Sequence, residues 1–377
     1  MDFTFTKEQQ AAAEAARGVF APVAPDTVPS PSLVAGAVAD DFDRGLWAKL
    51  AEADLLSLLL PPEHGGAGLD AIAFCLVLRE SAKVLARVPL LESAAAAAAV
   101  QAYGGERLTS ELPARAGRGE AVLTVAANGR SGHDPAELAV TARQDGDAWI
   151  LDGVQTAVPW AHTADFLVVP ARTAAECTLL AVIPRTHPGV RLGEQISTAG
   201  ERLGELRLES ARIAAHDVID ADGAWEWLRS LLTCGTCALA LGLGERVLAM
   251  TSEYTGQREQ FGFPVATFQA VAVQAADRFI DLRAMEVTLW QAAWRIASGA
   301  SGVLPASGDL AVAKIWASEG VRRVVQTAQH LHGGFGADVE YPLHRYHAWA
   351  KHLELQLGPA AAHEEALGDL LAAHQLG

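Results

Sequence analysis

Arg258, Gln269 and the pair Gly333-Gly334 are residue types that suit a phosphate-bearing ligand. A guanidinium at a helix end forks two hydrogen bonds onto a diphosphate, where a lysine would bring one point charge. Gln269 offers an amide, and two glycines let backbone N–H groups approach a phosphate closely. The competing assignment pairs Arg258 with Glu259 or Asp277 on the surface and leaves the glycines to cap a helix.

Other constellations point to packing. Cys234-Gly-Thr-Cys237 has the redox spacing, but it lies inside an Ala/Leu-rich helical run rather than at a helix start after a strand. Cysteines packed against small residues are expected there. His330 and His332 form an HxH, with His344, His347 and His352 after it. Ligands to one zinc must converge, whereas HxH at a helix end diverges, so no metal site is expected. The cluster at 333–336 follows a helix, not a strand, which excludes a dinucleotide-binding turn. There is no GxSxG nucleophile motif, and the nine tryptophans are scattered.

The elements that must position these residues fall into three parts. A chain of 377 residues is long for one core. Residues 1–120 read as helices: Thr6 stands as an N-cap with Gln9 three residues on, and Leu46, Leu50 and Leu55 share one broad apolar face. Residues 121–222 hold short Val/Leu/Ile-rich runs about ten residues apart, the spacing of an antiparallel β-sandwich or barrel, with an Asp-Gly hairpin signal in QDGDAW. Residues 223–377 return to helix. Phe268, Val271, Ala272, Ala275, Phe279, Leu282 and Met285 make one apolar face of a long helix ending near Ile296, and another helix runs from Asp309 to His330. The fold class is α+β. A net charge of −16, from 45 acidic and 29 basic residues, argues against nucleic acid. The first residues lack the pattern of a signal peptide, the Ala94–Val100 run is too short for a bilayer, and four cysteines make no disulfide framework. A reduced, cytoplasmic protein is expected.

At this point the chain resembles the flavin-dependent acyl-CoA dehydrogenases. LLPPEHGGAGL, TGQREQFGFPVATFQAV and HLHGGFGADVEYPLHRY are similar to segments of that family, the last two bracketing a long helix. The resemblance implies a helical N-terminal domain, a middle β domain and a C-terminal four-helix bundle. It also implies FAD lying across a subunit interface, its flavin end in one subunit and its ADP end against the neighbour's bundle. Arg258, Phe261, Gln269, His330, Gly333 and Gly334 are the residues it assigns to the cofactor. The reaction implied is α,β-dehydrogenation of an acyl thioester on CoA or an acyl carrier. A carboxylate removes the α proton and a hydride passes to flavin N5, with an electron-transfer flavoprotein as acceptor.

The sequence departs from that pattern where the chemistry is done. The usual base position falls on Leu357, and the alternative one on Leu232 or Thr233. Glu354, one helical turn before Leu357, is the substitute candidate, with Glu226 a more remote one. The flavin-facing segment reads AANGRSGHD at 126–134, and VPWAH at 158–162 leaves Trp160 or His162 to pack on a ring. This asymmetry resembles the base-lacking subunit of heteromeric acyl-CoA dehydrogenases. A homologous base-bearing subunit in a dimer of heterodimers is therefore expected. The alternatives are a catalytically inert scaffold or acyl-binding subunit, and a homo-oligomeric flavoenzyme using Glu354 or another base.

Overall fold

The computed structural model describes residues 4–132, 134 and 137–374. Six helices come first: α1 (Lys7–Phe20), α2 (Arg44–Glu52), α3 (Ala71–Lys83), α4 (Leu90–Tyr103), α5 (Glu106–Thr109) and α6 (Leu112–Gly117). The Thr6 hydroxyl accepts from the Gln9 N–H and the Gln9 side chain accepts from the Thr6 N–H, so α1 opens on a reciprocal capping box. Asp43 and Asp70 cap α2 and α3 in the same way with single side-chain acceptors. Helix α4 is Ala-rich and buried from Leu90 to Val100, which makes it an interior rod rather than an amphipathic surface helix.

The middle strands are β1 (Leu123–Val125), β2 (Val140–Asp145), β3 (Ala148–Val158), β4 (Phe166–Thr173), β5 (Thr178–Pro184), β6 (Val190–Ile196), β7 (Arg202–Ala214) and β8 (Val218–Ile219). They form one sheet in the order β6-β7-β3-β2-β4-β5-β8, with β1 beside β4. The Asp-Gly hairpin joins β2 to β3, with Gly146 left-handed. The sheet is mixed, a correction to the antiparallel expectation: β4 runs parallel to both β1 and β2. Its two faces serve two cores. Leu167, Val169, Leu179, Ala181 and Ile183 pack with Leu206 and Ile213 inside the β layer. Their neighbours Val168, Leu180 and Val182 join the helical core. Both faces are covered, so β4 and β5 are continuous apolar runs rather than alternating ones.

Helix α7 (Ala224–Gln257), the ribbon β9 (Glu259–Gln260) with β10 (Phe263–Pro264), α8 (Gln269–Ser298), α9 (Ala306–His332), α10 (Leu343–Leu355) and α11 (Ala360–Ala373) complete the chain. By length and composition α7 is long and apolar enough to cross a bilayer, but most of that stretch is buried within the protein. It packs closely on α3. A Cβ at Gly242 would sit 2.0 Å from the Arg79 carbonyl oxygen, so only glycine permits that approach. The expected apolar face of α8 holds only in part. Leu282 and Met285 are buried, whereas Phe268 and Phe279 are exposed, together with Val273 and Ile280. One side of the first half of α8 meets α9, through Arg278 on Thr327, while among the described residues nothing covers the side that carries these apolar residues.

Candidate functional site

A cavity of about 570 Å³ opens where the end of β3, the end of β6 and the last turn of α10 converge. Its β3 wall is irregular: the pairing with β7 slips between Gln155 and Val158, and Ala157 and Trp160 are left-handed, at φ 48° and 57°. Such conformations at non-glycine residues cost about 1–2 kcal/mol each and persist only where surroundings impose them. Here the surroundings are a polar knot. The Thr156 hydroxyl and the Ala157 N–H both reach Gln195 Oε1, at 3.1 and 2.7 Å. Asn128 Nδ2 donates to the Ala157 carbonyl at 2.9 Å, and Asn128 Oδ1 accepts from the Leu357 N–H at 3.3 Å. His133 of the 126–134 segment lies outside the described residues.

Pro159, His352 and Gln356 separate this cavity from a hollow of about 50 Å³ that holds two buried carboxyls. Glu92, on α4, accepts from Trp160 Nε1 at 3.0 Å and from Gln356 Nε2 at 3.4 Å. Burial, then the nearby Glu201, push its pKa up to about 7. Burial also raises Glu201 to about 7, although the Arg87 guanidinium pulls the other way. His352 Nε2 stands 3.8 Å from Glu201 Oε2. Burial, with the charges of Arg87 and Lys314, holds that imidazole down near 4, so it is neutral at neutral pH. The last turn of α10 is fixed from behind. Fully buried Lys314 donates to the carbonyls of Leu353 and Glu354 and to Ser318 Oγ, at 3.2, 3.1 and 2.7 Å. Burial lowers the Lys314 pKa to about 8.

The two base positions carry no carboxylate. Leu357 is buried with a left-handed backbone, and Leu232 and Thr233 are buried in α7. Glu354 Oε2 is bonded by Lys351 Nζ at 2.6 Å, and its side chain does not line the cavity. Glu226 is exposed on α7. The Trp160 indole is spent on Glu92, and His162 Nε2 faces the Leu203 carbonyl at 3.3 Å. The cysteines are packed: Cys75 and Cys234 sulfurs lie 3.6 Å apart in the core, and burial raises Cys237. Sequence reasoning passed over Glu92, Glu201 and Gln195. Glu92 had a readable signal, a lone acid inside an apolar run; the other two had none.

The predicted cofactor residues lie elsewhere, between the end of α7 and the turn after α9. Arg258 ends α7 in an extended conformation and lines a second pocket of about 460 Å³ with Arg246, Tyr254, Phe335 and Tyr341. Among the described residues no carboxylate lies within ion-pair distance of its guanidinium, so the surface pairing with Glu259 or Asp277 is not formed. Gly333 closes α9 at φ 60°, ψ −140°, a conformation open to glycine, and a Cβ at Gly333 or Gly334 would meet nothing within 4 Å. An aromatic stack underlies that turn, Tyr254 on His332 at 4.3 Å and Phe335 on Tyr341 at 4.4 Å. The His332 ring is taken up by the Ala328 carbonyl and the Tyr341 hydroxyl, while His330 is exposed. Gln269 opens α8, exposed, and Phe261 is 89% exposed at the tip of the β9–β10 ribbon.

Set against FAD, the two regions differ. A guanidinium free of ion pairs among the described residues, in a pocket also lined by Phe335 of the glycine turn, fits a diphosphate. The β3 wall of the cavity does not fit a flavin ring, because the two donors it would offer, Thr156 and Ala157, are already bonded to Gln195.

Comparison with known proteins agrees with the family segments. The model of the acyl-CoA dehydrogenase N-terminal domain matches residues 6–120, and that of the C-terminal domain matches residues 233–371. Acyl-CoA dehydrogenase FadE27 of Mycobacterium tuberculosis is 37% identical over 88% of this chain and 89% of its own length. FadE28 of the same organism is 30% identical over 98% of both. Among solved structures, the ChsE4-ChsE5 complex of Mycobacterium tuberculosis aligns at 35% identity and a TM-score of 0.89, covering 100% of each chain. The chain belongs to the acyl-CoA dehydrogenase family, an oxidoreductase family whose cofactor is FAD.

Proposed function

We propose that this chain is the base-lacking subunit of a heteromeric acyl-CoA dehydrogenase. It grips the diphosphate of a FAD whose reacting ring lies in a homologous, base-bearing partner. Arg258, Gln269, Gly333 and Gly334 bind that diphosphate, with Phe261 and His330 beside it. The partner supplies the carboxylate and the ring-facing wall. The substrate is an acyl thioester of CoA or of an acyl carrier, dehydrogenated between its α and β carbons. The electrons leave to an electron-transfer flavoprotein.

One observation carries this reading: among the described residues the Arg258 guanidinium is in no ion pair and the backbone at Gly333-Gly334 is open to a close approach, while the positions that would hold the base carry no carboxylate and the β3 wall is bonded to itself. The relatives support it, since one of the most similar structures is named as the ChsE4-ChsE5 complex and another carries the paired name Tcur3481-Tcur3483, a steroid acyl-CoA dehydrogenase at 35% identity and a TM-score of 0.88.

The test is co-expression. Alone, the chain purifies colourless and inactive. With a base-bearing paralogue it purifies as a yellow complex with one FAD per two chains and oxidises acyl thioesters. Active protein with one FAD per chain, obtained from this chain alone, would sink the reading.

A further inference from the structure

We infer that Gln195 is the residue that keeps a flavin ring out of this chain's own cavity. The inference rests on the partner-subunit reading and names the side chain that decides which of two homologous cavities the ring occupies.

Size does not exclude the ring. A cavity of about 570 Å³ lies within the range of small-molecule sites. The obstacle is hydrogen bonding. An isoalloxazine is a flat tricycle with one polar edge of carbonyl oxygens and ring nitrogens, and that edge must meet donors once water is displaced. The β3 wall has two donors near each other, the Thr156 hydroxyl and the Ala157 N–H, and Gln195 Oε1 accepts both at 3.1 and 2.7 Å. Its amide nitrogen lies 3.0 Å from the same Thr156 oxygen. The other backbone groups nearby are also closed, Thr156 N–H onto the Gly129 carbonyl and the Ala157 carbonyl onto Asn128. Gln195 cannot drift away, because its own residue is paired with Leu203 in the β6–β7 ladder. A ring entering here would have to take two donors from Gln195 Oε1 and could return only one, its N3–H, so the exchange is unfavourable.

The test uses lumiflavin, which carries the ring and no diphosphate. It therefore reports on the inner wall and is blind to Arg258. The full chain and its Gln195→Ala and Gln195→Glu variants are titrated, and quenching of flavin fluorescence is followed. Thermal unfolding checks that each variant is folded. The native chain leaves the fluorescence unchanged. Gln195→Ala frees two donors and binds lumiflavin about tenfold tighter or better. Gln195→Glu keeps an acceptor oxygen at the same reach and stays closed. The inference is overturned if the native chain quenches lumiflavin as strongly as Gln195→Ala does, or if folded Gln195→Ala leaves it free. Neither result touches the partner-subunit reading, which fails on the flavin content of the co-expressed complex instead.

Discussion

Around Arg258 and Gly333-Gly334, charge and backbone face open space. Around Thr156 and Ala157, donors and acceptors are taken up by side chains from β6 and from the loop after β1. The outer region is cheap to fold and costs nothing to leave waiting, because water satisfies its groups. The inner region is buried, so its polar groups had to be bonded within the chain or matched by a ligand. On the partner-subunit reading, the region bonded to itself has exchanged ligand binding for stability. Changes among the buried groups around the inner region should therefore read out chiefly as shifts in stability, of either sign, and changes in the outer region as lost ligand.

The largest expected effect is Arg87→Met. Arg87 forms a buried ion pair with Asp26 and donates to the Ala199 carbonyl beside Glu201. Its loss strands a buried carboxylate and costs about 3–5 kcal/mol in chemical denaturation. Next is Glu92→Gln. The folded Glu92 carboxyl titrates near 7 against an ordinary 4.5. The folded state thus holds a proton that the unfolded chain has released between those values. That contribution is full below pH 4.5 and is lost as pH rises through about 7. The amide removes this slope, raising stability at pH 8 by roughly 2–3 kcal/mol relative to the native chain. Unfolding curves at pH 5 and pH 8 give the comparison. Arg258→Ala should leave stability within about 0.5 kcal/mol and weaken FAD retention by the co-expressed complex about 10–100-fold, with Lys restoring part of it. Gly334→Ala is the mildest: no positive φ and no neighbour oppose the methyl, so the fold is unchanged, and only FAD retention falls, by a few fold. If Arg258→Ala unfolds the chain, or Glu92→Gln costs only ligand, the contrast between the regions is wrong.

The features legible in the sequence were those written locally. The Thr6/Gln9 box, the Asp-Gly hairpin and the extent of α8 each depend on residues a few positions apart, and each formed. The glycine pair at 333–334 was readable because backbone freedom is a property of the residue itself. The inner knot was not readable. Gln195 meets Ala157 across 38 positions and Asn128 meets Leu357 across 229, and neither residue type signals its partner. The face of α8 misled for a related reason: periodicity shows which residues share a side, but not whether anything in the same chain covers it.

The uncovered side of α8 and the ribbon beside it bear on how the protein is made. Phe261, Phe263, Phe268, Val273, Phe279 and Ile280 lie exposed along one stretch of chain. Contiguous apolar surface of that kind invites self-association and quality control. On the partner-subunit reading, a chain synthesised without its partner accumulates poorly, and its level in a cell follows the supply of that partner rather than its own messenger.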